Sequence, residues 1–305
     1  MLRDNKAGHI TVVGSICQDL VVNVPHLPAR GETVLTTGFK TFVGGKGFNQ
    51  ALQVHRLGGQ VSFFGKVGKD SFGDDVIRQL NDEGFPDGGI ARTGSKTALG
   101  MIMVEPGGMN YIAGYSGANM EFMPEDIDRV ALLDALANSS HLILQMEIPA
   151  ETNRMAMQLA DDAGCTVVMN FAPYRPTQPA DVELMGLLVF NEVEASGFFG
   201  MQILNAADVL GMGCGRRDIL GKVVITLGAD GVVVFTKDSA VHLQGKKVEA
   251  VDSTGAGDSF VGAFVYYLSM GDDLVKAASK ANSAAALSVT RMGAMPSIPW
   301  ARELG

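Results

Sequence analysis

The residues best suited to chemistry fall together at Val251-Asp252-Ser253-Thr254-Gly255-Ala256-Gly257-Asp258-Ser259-Phe260. A β-like run ends there, and an apolar helix, Ser259–Met270, opens with almost no polar face. A helix that is hydrophobic nearly all round lies inside a protein, so its N-terminus points into the interior. Glycines on either side of Ala256 let the backbone approach a ligand closely, and first-turn amides lack partners within a helix. Such an end attracts anions and suits the charge that builds on a phosphoryl group in transfer. Asp258 stands in the same turn, placed to accept a proton from an attacking hydroxyl. An N-cap aspartate behind a glycine turn is the competing reading of these residues.

A second glycine turn, Gly44-Gly45-Lys46-Gly47-Phe48-Asn49-Gln50-Ala51, also leads into a helix. GxxxxGK[ST] is absent from the chain, so this is not a P-loop. Its glycines permit close approach of a polar ligand, and Lys46 and Asn49 supply donors for hydroxyls; a purely structural helix start uses the same residues. Asn191-Glu192-Val193-Glu194 follows the apolar strand Leu187–Phe190. There a carboxylate and an amide could position Mg²⁺ and its waters, or simply cap a helix. Thr226-Leu227-Gly228-Ala229-Asp230-Gly231 is fully explained as a hairpin turn, with a nucleotide contact as the second reading. Asp19 and Glu147 each follow a strand by a few residues, where a carboxylate either binds substrate hydroxyls or is solvated. Gly211-Met212-Gly213-Cys214-Gly215 lacks both the spacing of a dinucleotide fingerprint and a preceding strand.

These residues must be carried by elements, and the pattern supplies them. Strands are expected at His9–Val13, Val61–Phe64, His141–Met146, Thr166–Asn170, Leu187–Phe190, Lys222–Thr226 and Gly231–Phe235. Helices are expected at Lys46–Leu57, Ser71–Asp82, Pro124–Ala137, Ala150–Ala163 and Glu192–Phe198. Continuous apolar strands alternating with helices indicate an α/β fold, a mainly parallel sheet between helical layers. Leu20–Val24, Glu32–Val43, Gly100–Glu105 and Asn110–Tyr115 read as strands without intervening helices, the last two joined at Pro106-Gly107-Gly108. Together they form a small β-sheet, a lid over the strand ends, with its strands within about 20–43 and 99–115. No linker or repeat divides the chain, so residues 1–305 form a single domain with this lid.

Composition narrows the partners. With 24 Lys and Arg against 33 Asp and Glu, the net charge of −9 argues against nucleic acid or an anionic membrane. Cys17, Cys165 and Cys214 form no CxxC pair and read as reduced thiols of a cytoplasmic protein. The start carries no export leader, and no apolar run reaches the roughly 18 residues of a membrane span.

Taken in order, Gly14-Ser15, the Gly-Gly-Lys-Gly turn, Asn191-x-x-Glu194, Gly255-Ala256-Gly257-Asp258 and Thr290-Arg291-Met292-Gly293-Ala294-Met295-Pro296-Ser297 resemble the ribokinase (PfkB-type) carbohydrate kinase family over nearly the whole chain. The resemblance implies a Rossmann-like kinase core and a β-lid that often serves as a homodimer interface. It implies transfer of the ATP γ-phosphoryl group to a primary hydroxyl of a small sugar, ribose to ribose 5-phosphate first among candidates. Another pentose, a ketohexose or a nucleoside is the alternative, and a sugar- or nucleotide-binding regulator without catalysis is the reading from another class. By position, Asp258 would be the base and Gly255, Ala256 and Gly257 the anion hole. The sugar would meet Cys17, Asp19, Gly45, Lys46, Asn49 and Glu147. The nucleotide would meet Asn191, Thr226, Gly228, Gly231, Gly257 and Asn282, with Glu194 assisting Mg²⁺. A monovalent cation such as K⁺ would draw ligands, partly backbone carbonyls, from Asp252, Thr254, Ser288, Arg291, Gly293 and Ser297. The departures gather near the sugar: Cys17 stands where the family usually has Asn, Phe48 replaces a small residue, and Gly114 falls where an apolar side chain usually packs. Phe171 and Phe190 stand in for the usual Pro.

Overall fold

The computed structural model describes residues 6–106, 109–212, 222–236 and 239–304. Gly107 and Gly108 of the expected turn, and Gly213, Cys214 and Gly215, lie outside the described residues. The strands are β1 (His9–Val13), β2 (Cys17–Asn23), β3 (Gly38–Gly44), β4 (Gln60–Gly68), β5 (Gly89–Thr93), β6 (Leu99–Val104) and β7 (Asn110–Tyr115). They continue with β8 (His141–Leu144), β9 (Thr166–Asn170), β10 (Leu187–Asn191), β11 (Val223–Thr226), β12 (Val232–Phe235) and β13 (Ala240–Leu243). The helices are α1 (Lys46–Arg56), α2 (Ser71–Glu83), α3 (Gly117–Met120), α4 (Arg129–Asn138), α5 (Ala150–Asp162) and α6 (Pro179–Glu183). After them come α7 (Glu192–Phe199), α8 (Ala206–Gly211), α9 (Ala256–Ser269), α10 (Leu274–Ser288) and α11 (Ala294–Ser297).

Nine of these strands form one sheet in the order β13-β12-β11-β10-β9-β8-β1-β4-β5. From β11 to β5 every neighbouring pair is parallel, and only β12 and β13 run against their neighbours. Both faces are covered, which is why the strands read as unbroken apolar runs. Alternate residues serve opposite cores. Ile10, Val12, Ile143, Val168 and Val189 meet α1, α9 and α10, whereas Val13, Leu142, Leu144, Val167 and Leu188 meet α4, α5, α7 and α8. The helices on the first face bring the two glycine turns of the sequence together: α1 and α9 pack side by side, each beginning near the carboxyl ends of the strands.

β3, β2, β6 and β7 make the second, smaller sheet in that order. β7 has the expected bounds, and β2 starts earlier than expected, at Cys17, and pairs with β3 as far as Gly44. The strand expected from Glu32 is corrected, since β3 begins only at Gly38, where its pairing with β2 ends at Asn23. β2 and β6 stop short of the expected Val24 and Glu105. Three other expectations are corrected. The helix expected from Pro124 is a 3-10 turn, Pro124–Asp126, and α4 starts only at Arg129. Asp128 separates the two by capping Val130 and Ala131 with its carboxylate. α9 begins at Ala256, ahead of Ser259, because Gly255 takes φ 79° and accepts the first helical bond from the Ser259 N–H (2.8 Å). β5 and β13 were not expected; both are edge strands, half-buried and short of the apolar run that marks an interior strand.

Candidate active site

Asp258 is only 7% exposed, so its carboxylate needs partners. Both oxygens have one. Asn49 Nδ2 donates to Oδ2 (3.1 Å) and Gln50 Nε2 donates to Oδ1 (3.0 Å). Both donors stand on α1, so the Gly44–Ala51 turn serves Asp258 as well as any ligand. Of the expected anion hole, the Ala256 N–H closes the turn onto Ser253 O (3.2 Å). The open part falls to Gly257, where an added Cβ would meet nothing within 4 Å.

A cavity of about 310 Å³ separates the lid from the strand ends. Lys46, Asn49, Glu147, Gly255 and Asp258 line its floor, and Cys17, Asp19, Gly100, Ile102, Ile112 and Gly114 line it from the lid. Asp19 is seated in β2 with Gly44 on one neighbouring strand and Gly100 on the other. A Cβ at either glycine would lie 2.2 Å from a carboxylate oxygen of Asp19, so both positions must stay bare. Burial pushes the Asp19 carboxyl up to about 6, Glu147 and Asp258 add to the rise, and the Cys17 thiol opposes it by donating to Oδ1 (3.3 Å). Burial also holds the Cys17 thiol well above its usual range, so it remains a donor.

Glu147 reaches the cavity at the start of α1. Its Oε2 accepts from Lys46 N–H (3.1 Å) and Ser15 Oγ (2.5 Å), and Ser15 Oγ in turn accepts from Gly47 N–H (3.1 Å). Gly45 takes φ 95°, and a Cβ there would meet Ile16 Cα at 2.8 Å. The close approach that its sequence context suggested is made in part by the chain to itself, and Gly45 also lines the lid cavity. Lys46 has its pKa raised, first by Asp258 and then by Glu147 and Glu194, against the effect of burial. Phe48 is not near the cavity: it is fully buried, edge-on to Phe63 and Phe85 in the core. Phe171 and Phe190 likewise stack on each other, with ring centroids 4.4 Å apart.

On the other side of Asp258 lies a cleft of about 200 Å³ lined by Lys46, Asn170, Asn191, Glu194, Thr226, Ser253, Gly255 and Gly257. Asn191 and Glu194 cap α7 reciprocally: Glu194 N–H donates to Asn191 Oδ1 and Asn191 N–H to Glu194 Oε2, both at 2.8 Å. The capping reading is therefore true and leaves the other Glu194 oxygen for the cleft. Burial raises the Glu194 pKa. Thr226 Oγ1 donates to Phe190 O (3.2 Å). Gly228 and Gly231 belong to the β11–β12 turn, Asn282 Nδ2 donates to Gln244 O (2.9 Å), and none of the three lines either cavity.

The expected cation residues meet around the loop before α9. Asp252 Oδ1 accepts from Thr254 N–H (2.9 Å) and Oγ1 (2.6 Å), and Oδ2 accepts from Gly293 N–H (2.8 Å). Ser288 and Ser297 hydroxyls donate to the carbonyls of Ala285 and Ala294, and Arg291 pairs with Glu303 at 2.7 Å. With these side chains committed, backbone carbonyls remain, a donor set that fits a monovalent ion better than Mg²⁺. Among the described residues no cluster of three or more His, Cys, Asp or Glu could hold a metal ion.

Several residues at the site escaped the sequence. Gln50 holds Asp258, Ser15 holds Glu147 and the α1 start, and Asn119 Oδ1 accepts from Ile16 N–H (3.0 Å) beside the lid cavity. Asn110 on β7 reaches across to Asp252 (3.2 Å) and Thr254 (2.9 Å), and Arg175 lines the lid cavity. Asn49, Gln50 and Gln53 are all buried on one helix, and three amides in an otherwise apolar segment are the signal that could have found Gln50.

Comparison with known proteins identifies the family. Residues 7–301 match the model of the pfkB family carbohydrate kinases. A ribokinase of Staphylococcus aureus is 33% identical over 299 residues, covering 97% of this chain and 98% of its own. A deoxyribokinase of Salmonella typhi is also 33% identical, covering 95% of each. The structure of an Arabidopsis thaliana ribokinase complexed with ribose and ATP superposes with a TM-score of 0.87 at 28% identity, over 98% of this chain and 97% of that one. The chain is thus an enzyme of the pfkB carbohydrate kinase family.

Proposed function

We propose that this kinase transfers the γ-phosphoryl group of ATP to the primary hydroxyl of ribose bound beneath the lid. The observation that carries the reading is that the lid cavity and the strand-end cleft share Asp258, Gly255 and Lys46. An acceptor in one and a nucleotide in the other would meet at a carboxylate. Asp19, Asn49 and Glu147 hold the sugar hydroxyls, and Asn191, Thr226 and Gly257 face the nucleotide. Asp258 takes the hydroxyl proton as the oxygen forms its bond to the γ-phosphorus and the bond to ADP breaks. The N-terminal amides of α9 and Lys46 offset the charge on the transferred group while the lid excludes water. Glu194 would hold the waters of a Mg²⁺ ion and the carbonyls of the 252–254 and 288–297 loops would hold K⁺, and both ions would supply further positive charge near the phosphates.

Deoxyribose is the second reading for the acceptor. Cys17 offers only a weak thiol donor, already turned to Asp19, at a wall of the lid cavity. A site lacking one amide discriminates less against a sugar lacking one hydroxyl. ADP release from Mg-ATP and K⁺ across ribose, deoxyribose, ketohexoses and nucleosides tests the assignment. The highest kcat/KM is expected on ribose, and silence across the panel would remove ribose as the acceptor and favour an untested substrate or a binder without catalysis. Asp258→Asn should lower kcat by at least ~100-fold with sugar affinity nearly kept, and near-parental turnover would remove Asp258 as the base. Chelation of Mg²⁺ should abolish turnover reversibly. We place the enzyme in the cytoplasm, in keeping with the free thiols of Cys17 and Cys165, and as a homodimer through the lid. No helix among the described residues is long and apolar enough to cross a membrane.

A further inference from the structure

Gln50 lies in the second glycine turn's helix, is fully buried, and lines neither cavity. A polar side chain with no access to ligand or water needs an internal reason for its place. Its Nε2 donates at 3.0 Å both to Asp258 Oδ1 and to Asn170 Oδ1, and its Oε1 accepts from Gln145 Nε2 at 2.9 Å. Both amide hydrogens and a carbonyl lone pair are thereby used.

The orientation of this amide chain is fixed by a group that cannot flip. Asn170 Nδ2 donates to the backbone carbonyl of Val189 (3.3 Å), so Asn170 Oδ1 must face Gln50 as an acceptor. Gln50 must then present Nε2 to Asn170 and Asp258, and Oε1 to Gln145. Gln145 is also fully buried, at the end of β8. Four strands and helices therefore converge on one carboxylate oxygen: β10 through Val189, β9 through Asn170, β8 through Gln145 and α1 through Gln50.

We infer that Gln50 is a positioning residue: the amide relay Gln145–Gln50, registered by Asn170, locks the rotation of the Asp258 carboxylate toward the acceptor hydroxyl. Asn49 differs in kind. It lines the lid cavity and touches both Asp258 and the space of the sugar, whereas Gln50 reaches the reaction only through Asp258. A carboxylate held by one amide on each oxygen cannot turn about its Cβ–Cγ bond without breaking both. Removing the Gln50 donor frees that rotation while leaving substrate contacts in place. This inference rests on Asp258 being the base.

The test is a double-mutant cycle on the full chain with Gln50→Met, which keeps length and volume but cannot donate. Gln50→Met alone is expected to lower kcat about 10- to 100-fold, the weight of one hydrogen bond to a charged group. KM for sugar and for ATP should stay within about threefold of the parent. Added to Asp258→Asn, the same substitution should cost nothing further, because its effect passes through that carboxylate. Losses that multiply in the double variant, or a rise in both KM values with kcat kept, would overturn the assignment. Should Gln50→Met fail to fold, Gln145→Met frees the Gln50 amide from the other side and should give a smaller kcat loss, again absent in the Asp258→Asn background; an unchanged kcat there counts against the relay. If Asp258→Asn alone turns over normally, the base is misassigned, and that outcome is separate from any result at Gln50.

Discussion

Asp19 is a carboxylate buried in the wall of the lid cavity, and its titration gives the direction of two opposed effects. Its folded value of about 6 lies above the ordinary 3.8. Between those two pH values the folded chain holds a proton that the unfolded chain has released, so this group's contribution to stability falls as pH rises through the window and is flat above it. Asp19→Asn should therefore melt at a higher temperature than the parent near pH 8, measured by thermal unfolding. Sugar binding runs the other way. Hydroxyl donors need the charged form, so log kcat/KM for the sugar should climb with pH and level off near pH 6, while KM for ATP shows no such limb. A profile without that limb would take Asp19 out of the sugar site. The bare positions around it are a sharper probe. Gly100→Ala places a methyl 2.2 Å from Asp19 Oδ1, and Gly44 blocks the other side, so the carboxylate is displaced. Sugar KM should rise at least ~10-fold with ATP KM unmoved, as steady-state kinetics would read. The sequence offered Asp19 as a carboxylate for substrate hydroxyls, but not the seat that holds it. Asp19 reads there as a loop residue, because nothing in a single chain says that two glycines distant in number flank it across strands.

A lid side chain is tied to the loop that opens α9. Asn110, at the start of β7, donates to both Asp252 and Thr254 in the loop ahead of α9. Asn110→Ala should loosen closure without touching either cavity floor. The expected result is a several-fold rise in sugar KM, ~3- to 10-fold for one lost charge-assisted contact, together with more ADP formed per sugar phosphate as water gains entry. An unchanged coupling ratio and KM would show that the lid closes without this latch. Phe48 gives the contrasting case of a core element. Phe48→Ala should cost about 3–5 kcal/mol of stability, read by denaturant unfolding, and leave the ranking of acceptor sugars unaltered. The interior strands were legible because burial on both faces writes an apolar run into each, as in His9–Val13 and Thr166–Asn170. β5 and β13 were not, since an edge strand carries only half that signal. The glycine turns could be located as helix starts, but their true partners could not: Gly45 accommodates Ile16, and Gln50 answers to Asp258, contacts that exist only once α1 and α9 lie together.

At the scale of the molecule, the carboxyl ends of the parallel strands supply the floor and the small sheet supplies the roof. The face of that roof turned away from the floor is covered by α2 at its Gln18–Val43 end and is open toward its other end. By register, Val22, Phe39, Met101, Met103 and Tyr111 share this face of adjacent lid strands. Phe39 is 63% exposed, Met101 44% and Tyr111 37%. A contiguous apolar face of this kind on a sheet calls for a second surface, and two copies of the same sheet meeting face to face would bury it symmetrically. The parent should then sediment at twice the mass of the chain at about 10 µM, a concentration at which interfaces of standard size remain closed. Phe39→Asp with Met101→Asp should sediment as the single chain, because two charges on each copy would be buried without partners. The same variant should bind sugar more weakly while retaining its ATP KM, since only the lid loses support and the cleft below it is untouched. A parent that sediments as one chain, or a charged variant that still pairs, would detach the lid from assembly and leave its apolar face to another role.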